Sequence, residues 1–152
     1  MEYMEHSDKE IVIERVMSAK RETIWKAWTE QERVAKWWGP NGFKNTFKEF
    51  AVEPGGVWDF VMRGPDGEEY PNTIIFKEVV EPERLVYSHG GSRDLGLEDF
   101  TSKVTFEEVE PKKTKVTMRA MFVSAEERGK QEVFGAVEGG QQTLARLAAF
   151  VE

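Results

Sequence analysis

Apolar and polar positions alternate through residues 9–17, KEIVIERVM, with Ile11, Ile13 and Arg15 on one side and Val12, Glu14 and Val16 on the other. β-Branched residues at period two predict a first strand. The period then lengthens. Ile24, Ala27 and Trp28 recur at helical spacing, which predicts a helix over roughly 20–29 with Ser18 as its N-cap. Thr29 and Glu32 form a capping-box pattern, so a second helix starts afresh there, buries Val34, Trp37 and Trp38, and stops at Gly39-Pro40. Four of the five tryptophans (Trp25, Trp28, Trp37, Trp38) sit in these two short helices. So much aromatic area must close onto something wide and apolar, a sheet or the mouth of a cavity.

From residue 44 to 123 the pattern is one of strands punctuated by turns. Glu53-Pro54-Gly55-Gly56, Gly64-Pro65-Asp66-Gly67, Glu81-Pro82-Glu83 and Glu110-Pro111-Lys112 are turn sequences, proline presetting φ and glycine accepting positive φ. A longer loop, about Gly90 to Glu98, joins the remaining pair. Six strands follow the helices, and their short connections predict an antiparallel meander, since no connection is long enough for a parallel crossover. Ser124 and Glu127 form another capping box, after which Val133, Val137, Gly140, Leu144, Leu147 and Val151 repeat at steps of three and four. That stripe predicts a final helix to Glu152. Gly135, Gly139 and Gly140 are costly inside a helix, so either the helix breaks near them or they remove bulk where something comes close.

At 152 residues the chain is read as one domain, residues 9–152, behind a flexible tail over residues 1–8. It contains no cysteine, which removes disulfides, thiolate metal sites and cysteine nucleophiles. The N-terminal residues lack the basic and apolar regions of a signal peptide, and no apolar run reaches a membrane span, so a cytoplasmic setting is expected. Net charge is −7, with 28 acidic and 21 basic residues, which argues against a nucleic-acid partner. Lys112, Lys113 and Lys115 read as a solvated hairpin tip.

Particular residues in this order resemble the Bet v 1 and START-like superfamily, and within it the branch named after the activator of Hsp90 ATPase. They are Ser18-Ala19, Ile24-Trp25-Lys26-Ala27-Trp28-Thr29, Trp37-Trp38-Gly39-Pro40 and Pro54-Gly55-Gly56-Val57-Trp58. Met62-Arg63-Gly64-Pro65-Asp66-Gly67, Tyr70-Pro71-Asn72, Glu81-Pro82-Glu83-Arg84-Leu85 and Gln142-Thr143-Leu144-Ala145-Arg146-Leu147 continue the match over residues 9–152. The resemblance implies an α+β helix-grip fold, a seven-stranded antiparallel sheet curved around a long C-terminal helix with two short helices after strand 1. It also implies an apolar cavity between sheet and helix, and in some relatives cyclase or dehydratase activity. A co-chaperone role, which in the eukaryotic proteins accompanies a separate N-terminal domain, is not expected of this chain.

Chemistry is sparse. Ser88 and His89 are neighbours on a strand and point to opposite faces, so they form no nucleophile–base pair. No G-x-S-x-G, H-E-x-x-H or phosphate-binding glycine loop occurs, and one histidine outside the tail makes no metal site. No cofactor is expected. His89 shares a face with Leu85 and Tyr87 and reads either as a cavity-rim acid or base or as a half-exposed strand-end residue. With Tyr87 and Tyr70 it completes the list of proton carriers. Asp59 faces solvent if Trp58 and Phe60 point inward. Strand parity places Phe100, Ser102, Val104 and Phe106 on one face, and Val116, Met118 and Ala120 on another. With Trp28, Trp37, Trp58, Phe60, Tyr87, His89, Val133, Val137, Gly140 and Leu144 they form the expected wall of a cavity for a small apolar molecule. The leading expectation is a binding protein without turnover; a cofactor-independent cyclase, dehydratase or isomerase and a chaperone-ATPase module are the alternatives. A homodimer through a sheet edge or the tryptophan helices is compatible with the sequence, though nothing in it demands one.

Overall fold

A computed structural model describes residues 8–90 and 96–152. The expected N-terminal tail, apart from its last residue, lies outside these, as does the middle of the loop after Gly90. In chain order the elements are β1 (Glu10–Met17), α1 (Arg21–Thr29), α2 (Gln31–Trp37), β2 (Lys44–Phe50), β3 (Val57–Arg63) and β4 (Glu69–Val80). They continue with β5 (Arg84–His89), β6 (Phe100–Glu110), β7 (Lys113–Met121), α3 (Ala125–Val133) and α4 (Ala136–Val151).

The strands form a seven-stranded antiparallel sheet in the order β1-β7-β6-β5-β4-β3-β2. Strands β2 to β7 are a plain meander, and α1 and α2 carry the chain from β1 at one edge to β2 at the other. Register shifts at Phe47/Glu49, Phe76/Glu78 and Glu108/Glu110 put bulges into β2, β4 and β6, and bulges bend the strands that carry them. Helix α4 packs on β1, α1, α2 and α3. This is the helix-grip fold.

Three local details depart from the sequence pattern. Helix α1 begins after Lys20, with no side-chain cap, while the Ser18 N–H donates to Glu152 Oε2 at 3.0 Å. Strand β1 runs to Met17, so Ser18 is spent on leaving the sheet. Thr29 does not cap α2 either: its hydroxyl donates back to the Trp25 carbonyl at 2.8 Å, the i−4 bond open to a helical threonine, and Glu30 takes the cap position. The C-terminal segment is two helices rather than one. Ser124 does cap the first, accepting the Glu127 N–H at 3.0 Å, but Gly135 at φ +86° ends the run. Left-handed backbone is cheap only for glycine. Gly140 has the other role: a Cβ there would lie 2.4 Å from Ile13 Cδ1, so its bareness lets α4 rest on β1. Both expectations for the glycines hold, at different positions.

Candidate functional site

The space between sheet and helices divides into a packed half and an open half. In the packed half, Trp28, Trp37, Trp58 and Phe60 have no exposed surface. Their rings meet edge to face: Trp28 and Trp37 at 4.9 Å, Trp38 and Trp58 at 5.2 Å. Such geometry suits aromatic quadrupoles. Val104, Phe106, Val116, Leu144 and Leu147 complete this core. Asp59, opposite in parity to the buried Trp58 and Phe60, is not among the residues that face the interior space.

Farther along the same strands the interior opens into a cavity of about 560 Å³. Ile11 and Ile13 of β1, Tyr87 and His89 of β5, Phe100 and Ser102 of β6, and Met118 and Ala120 of β7 supply its sheet wall. Gly139, Gly140 and Thr143 of α4 face them, with Gln131 and Phe134 from the α3–α4 break. Trp38, Gly39, Pro40 and Phe43 close another side. Neighbours two residues apart on one strand face therefore do different work: Ser102 lines the cavity, whereas Val104 is core.

Apolar groups dominate this wall, and on the sheet side its polar side chains lie on β4, β5 and β6. Tyr87 and Ser102 stand directly opposite across β5 and β6, and both line the cavity. Asn72 Nδ2 donates to the Tyr70 carbonyl at 3.0 Å, which turns Oδ1 toward His89 Nε2 at 3.0 Å. An amide oxygen only accepts, so Nε2 carries the proton and Nδ1 is the acceptor nitrogen. Burial pushes His89 down to about 4, against the pull of the Asp99 carboxylate. Burial also pushes the Tyr87 phenol up, the Ser102 hydroxyl working weakly the other way. At neutral pH the cluster is thus uncharged: it can hold a ligand by hydrogen bonds, and neither group is tuned to exchange protons there.

Three polar side chains, Arg146, Gln142 and Glu127, hold the cavity's boundary. Arg146 Nη1 donates to the carbonyls of Trp38, Gly39 and Pro40 at 3.1, 2.9 and 2.8 Å, and Nη2 to those of Lys36 and Phe43 at 3.2 and 3.1 Å. One guanidinium thereby fastens the end of α2 and the following loop to α4. Desolvation pulls its pKa below the ordinary arginine value. One turn earlier, Gln142 Oε1 accepts the Asn41 N–H at 3.0 Å. On the other flank the buried Glu127 carboxylate accepts the Glu98 N–H at 2.9 Å and Gln131 Nε2–H at 3.2 Å, tying α3 to the segment before β6.

The family model described as "Activator of Hsp90 ATPase homolog 1-like protein" matches residues 18–152. The chain belongs to this family. Among solved structures, Ms6760 of Mycobacterium smegmatis superimposes with a TM-score of 0.83 at 25% identity, covering 95% of this chain and 91% of that one. A protein from Arthrobacter aurescens gives 0.88 at 24% identity, with 95% and 86% covered. NE0264 of Nitrosomonas europaea gives 0.83 at 23% identity, with 95% of both chains covered. No curated protein matches the chain.

Within this homolog 1-like domain, Tyr70, Tyr87, His89, Phe100, Ser102, Met118, Ala120 and Gly140 are brought together around the cavity. Trp28, Trp37, Trp58, Phe60, Val104, Phe106, Val116 and Leu144 lie in the packed half instead. Val133 is 83% exposed on the last turn of α3, a consequence of the break at Gly135, and Val137 is half-buried beyond the cavity wall. Trp38, Met62, Asn72 and Arg146 were named in the sequence motifs but were not assigned to the cavity or its boundary. The signal for the clamp was there: Arg146 is the one basic residue of α4, set among Leu144, Ala145, Leu147 and Ala148. Among the described residues no group of His, Asp or Glu could hold a metal ion, and no helix is long and apolar enough to cross a membrane.

Proposed function

We propose that this protein binds a small, mainly apolar molecule in the cavity between its sheet and α4. The observation that carries the reading is the 560 Å³ space itself, walled by aromatic and aliphatic side chains with a few convergent polar atoms, the usual form of a small-molecule site. The adjoining half of the same interface is filled by tryptophans, so the opening is not a general looseness of the fold. Binding without turnover fits the electrostatics, because His89 and Tyr87 are both held in neutral forms. The family's name supports a second reading, stimulation of a chaperone ATPase, which would use the outer surface and not this cavity.

A neutral fluorescent probe, N-phenyl-1-naphthylamine, tests the first reading. Its emission should rise saturably on titration with the protein. Ala120→Trp, which fills the cavity from β7, should weaken that binding at least about ten-fold while the circular dichroism spectrum stays native. Equal binding by the filled variant would place the probe elsewhere and remove the cavity from the account.

A further inference from the structure

If the cavity is the binding site, as proposed above, its polar atoms say what kind of molecule it takes. The described residues that line it include no lysine, arginine, aspartate or glutamate. Among these residues a buried ionic group would find no countercharge, a costly arrangement. Two of the polar lining groups are partly used within the protein. Thr143 Oγ1 donates to the Gly139 carbonyl at 2.8 Å, and the Gln131 amide donates to Glu127. On the sheet side, Asn72, Tyr87, His89 and Ser102 gather on the neighbouring strands β4, β5 and β6. Tyr87 and Ser102 are 1% and 3% exposed, so their hydroxyls are cut off from bulk water. Each carries one hydroxyl proton, so the pair brings two O–H donors to this wall. Beside them, the Asn72–His89 bond consumes Nε2–H and leaves the imidazole Nδ1 lone pair as an acceptor. Tyr87 and His89 share one face of β5, their ring centroids 6.4 Å apart. Donors and an acceptor thus share one wall of a mainly apolar chamber.

We propose that the Tyr87–Ser102 and His89–Asn72 pairs form a polar anchor that selects uncharged, mainly apolar ligands bearing a hydroxyl or carbonyl group. A carbonyl would accept from a hydroxyl of the Tyr87–Ser102 pair; a hydroxyl would do that and donate to His89 as well. Anions of the same shape should bind more weakly, because none of the described lining residues is a cation.

Three probes of one shape separate the possibilities: naphthalene, 2-naphthol and 2-naphthoate, each titrated against the protein by isothermal calorimetry at pH 7. The expected order is 2-naphthol tightest, about ten-fold tighter than naphthalene, with 2-naphthoate weakest. In Tyr87→Phe and, separately, Ser102→Ala, the ratio of naphthol to naphthalene affinity should fall toward one. The ratio is internal to each variant, and the wild-type order stands without any variant. Equal affinity for naphthol and naphthalene would overturn the anchor while leaving the cavity as a binding site. Tightest binding of 2-naphthoate would overturn the discrimination against anions. No binding by any of the three would overturn both the anchor and the reading on which it rests.

Discussion

Arg146 concentrates more hydrogen bonding than any other described side chain, and it does so with carbonyls alone. A planar guanidinium can reach acceptors on both sides of a loop; an ammonium cannot. Arg146→Ala should cost about 2–4 kcal/mol in urea unfolding, and Arg146→Lys should recover less than half of that. Full recovery by lysine would mean that positive charge matters there and fork geometry does not. His89 makes a separate prediction. Its folded pKa of about 4 lies below the ordinary 6.5. Above pH 6.5 neither the folded nor the unfolded form is charged at this site. As pH falls from 6.5 toward 4, the unfolded chain takes up the proton first, so stability drops. The loss should be about 1–3 kcal/mol across that window, measured by urea unfolding at stepped pH, and it should be absent from His89→Gln.

Among elements, the glycines of the C-terminal helices separate three physical situations that one residue type conceals. Gly129 lies inside α3 with nothing within 4 Å of a Cβ, so Gly129→Ala should stabilise by about 0.5–1 kcal/mol through helix propensity. Gly135 holds φ +86°, and Gly135→Ala should destabilise by about 1 kcal/mol or more. Gly140→Ala meets Ile13 Cδ1, so its effect should improve by about 1 kcal/mol when Ile13→Val removes that atom. Thermal unfolding of the single variants and the double variant measures all three; additivity of Gly140→Ala with Ile13→Val would contradict the close approach. These helices also show what a linear pattern conveys. Ser124 was legible as a cap because a hydroxyl, a carboxylate three residues later and a helical run all agree. Thr29 satisfied the same pattern and caps nothing, because its hydroxyl finds the Trp25 carbonyl first. A periodic stripe through Val133 to Val151 conceals a break that needs only one glycine at positive φ.

For the whole molecule, the order of elements and the antiparallel meander followed from periodicity and turn chemistry, and the helix-grip arrangement from the resemblance. Strand parity also showed which faces turn inward. It did not show where an inward face stops being core and starts lining a cavity. That boundary lies between Ser102 and Val104 on β6, between Val116 and Met118 on β7, and between Gly140 and Leu144 on α4. It depends on how far α4 stands from each strand and on how the tryptophans of α1 and α2 divide the space, which are properties of the assembled layers. Trp28, Trp37 and Trp58 were expected at a cavity for this reason: large aromatic rings suit a lid and a core equally well.

The central claim is that the open half of this interface takes a ligand and the packed half does not. Backbone and indole amide NMR during titration with N-phenyl-1-naphthylamine tests it most directly. The account predicts saturable shifts at Ser102, Met118, Ala120, Gly139 and Gly140, with the Trp28, Trp37 and Trp58 indole signals nearly still. Shifts confined to surface positions, larger shifts at the buried tryptophans than at the cavity wall, or no shifts at all would contradict it.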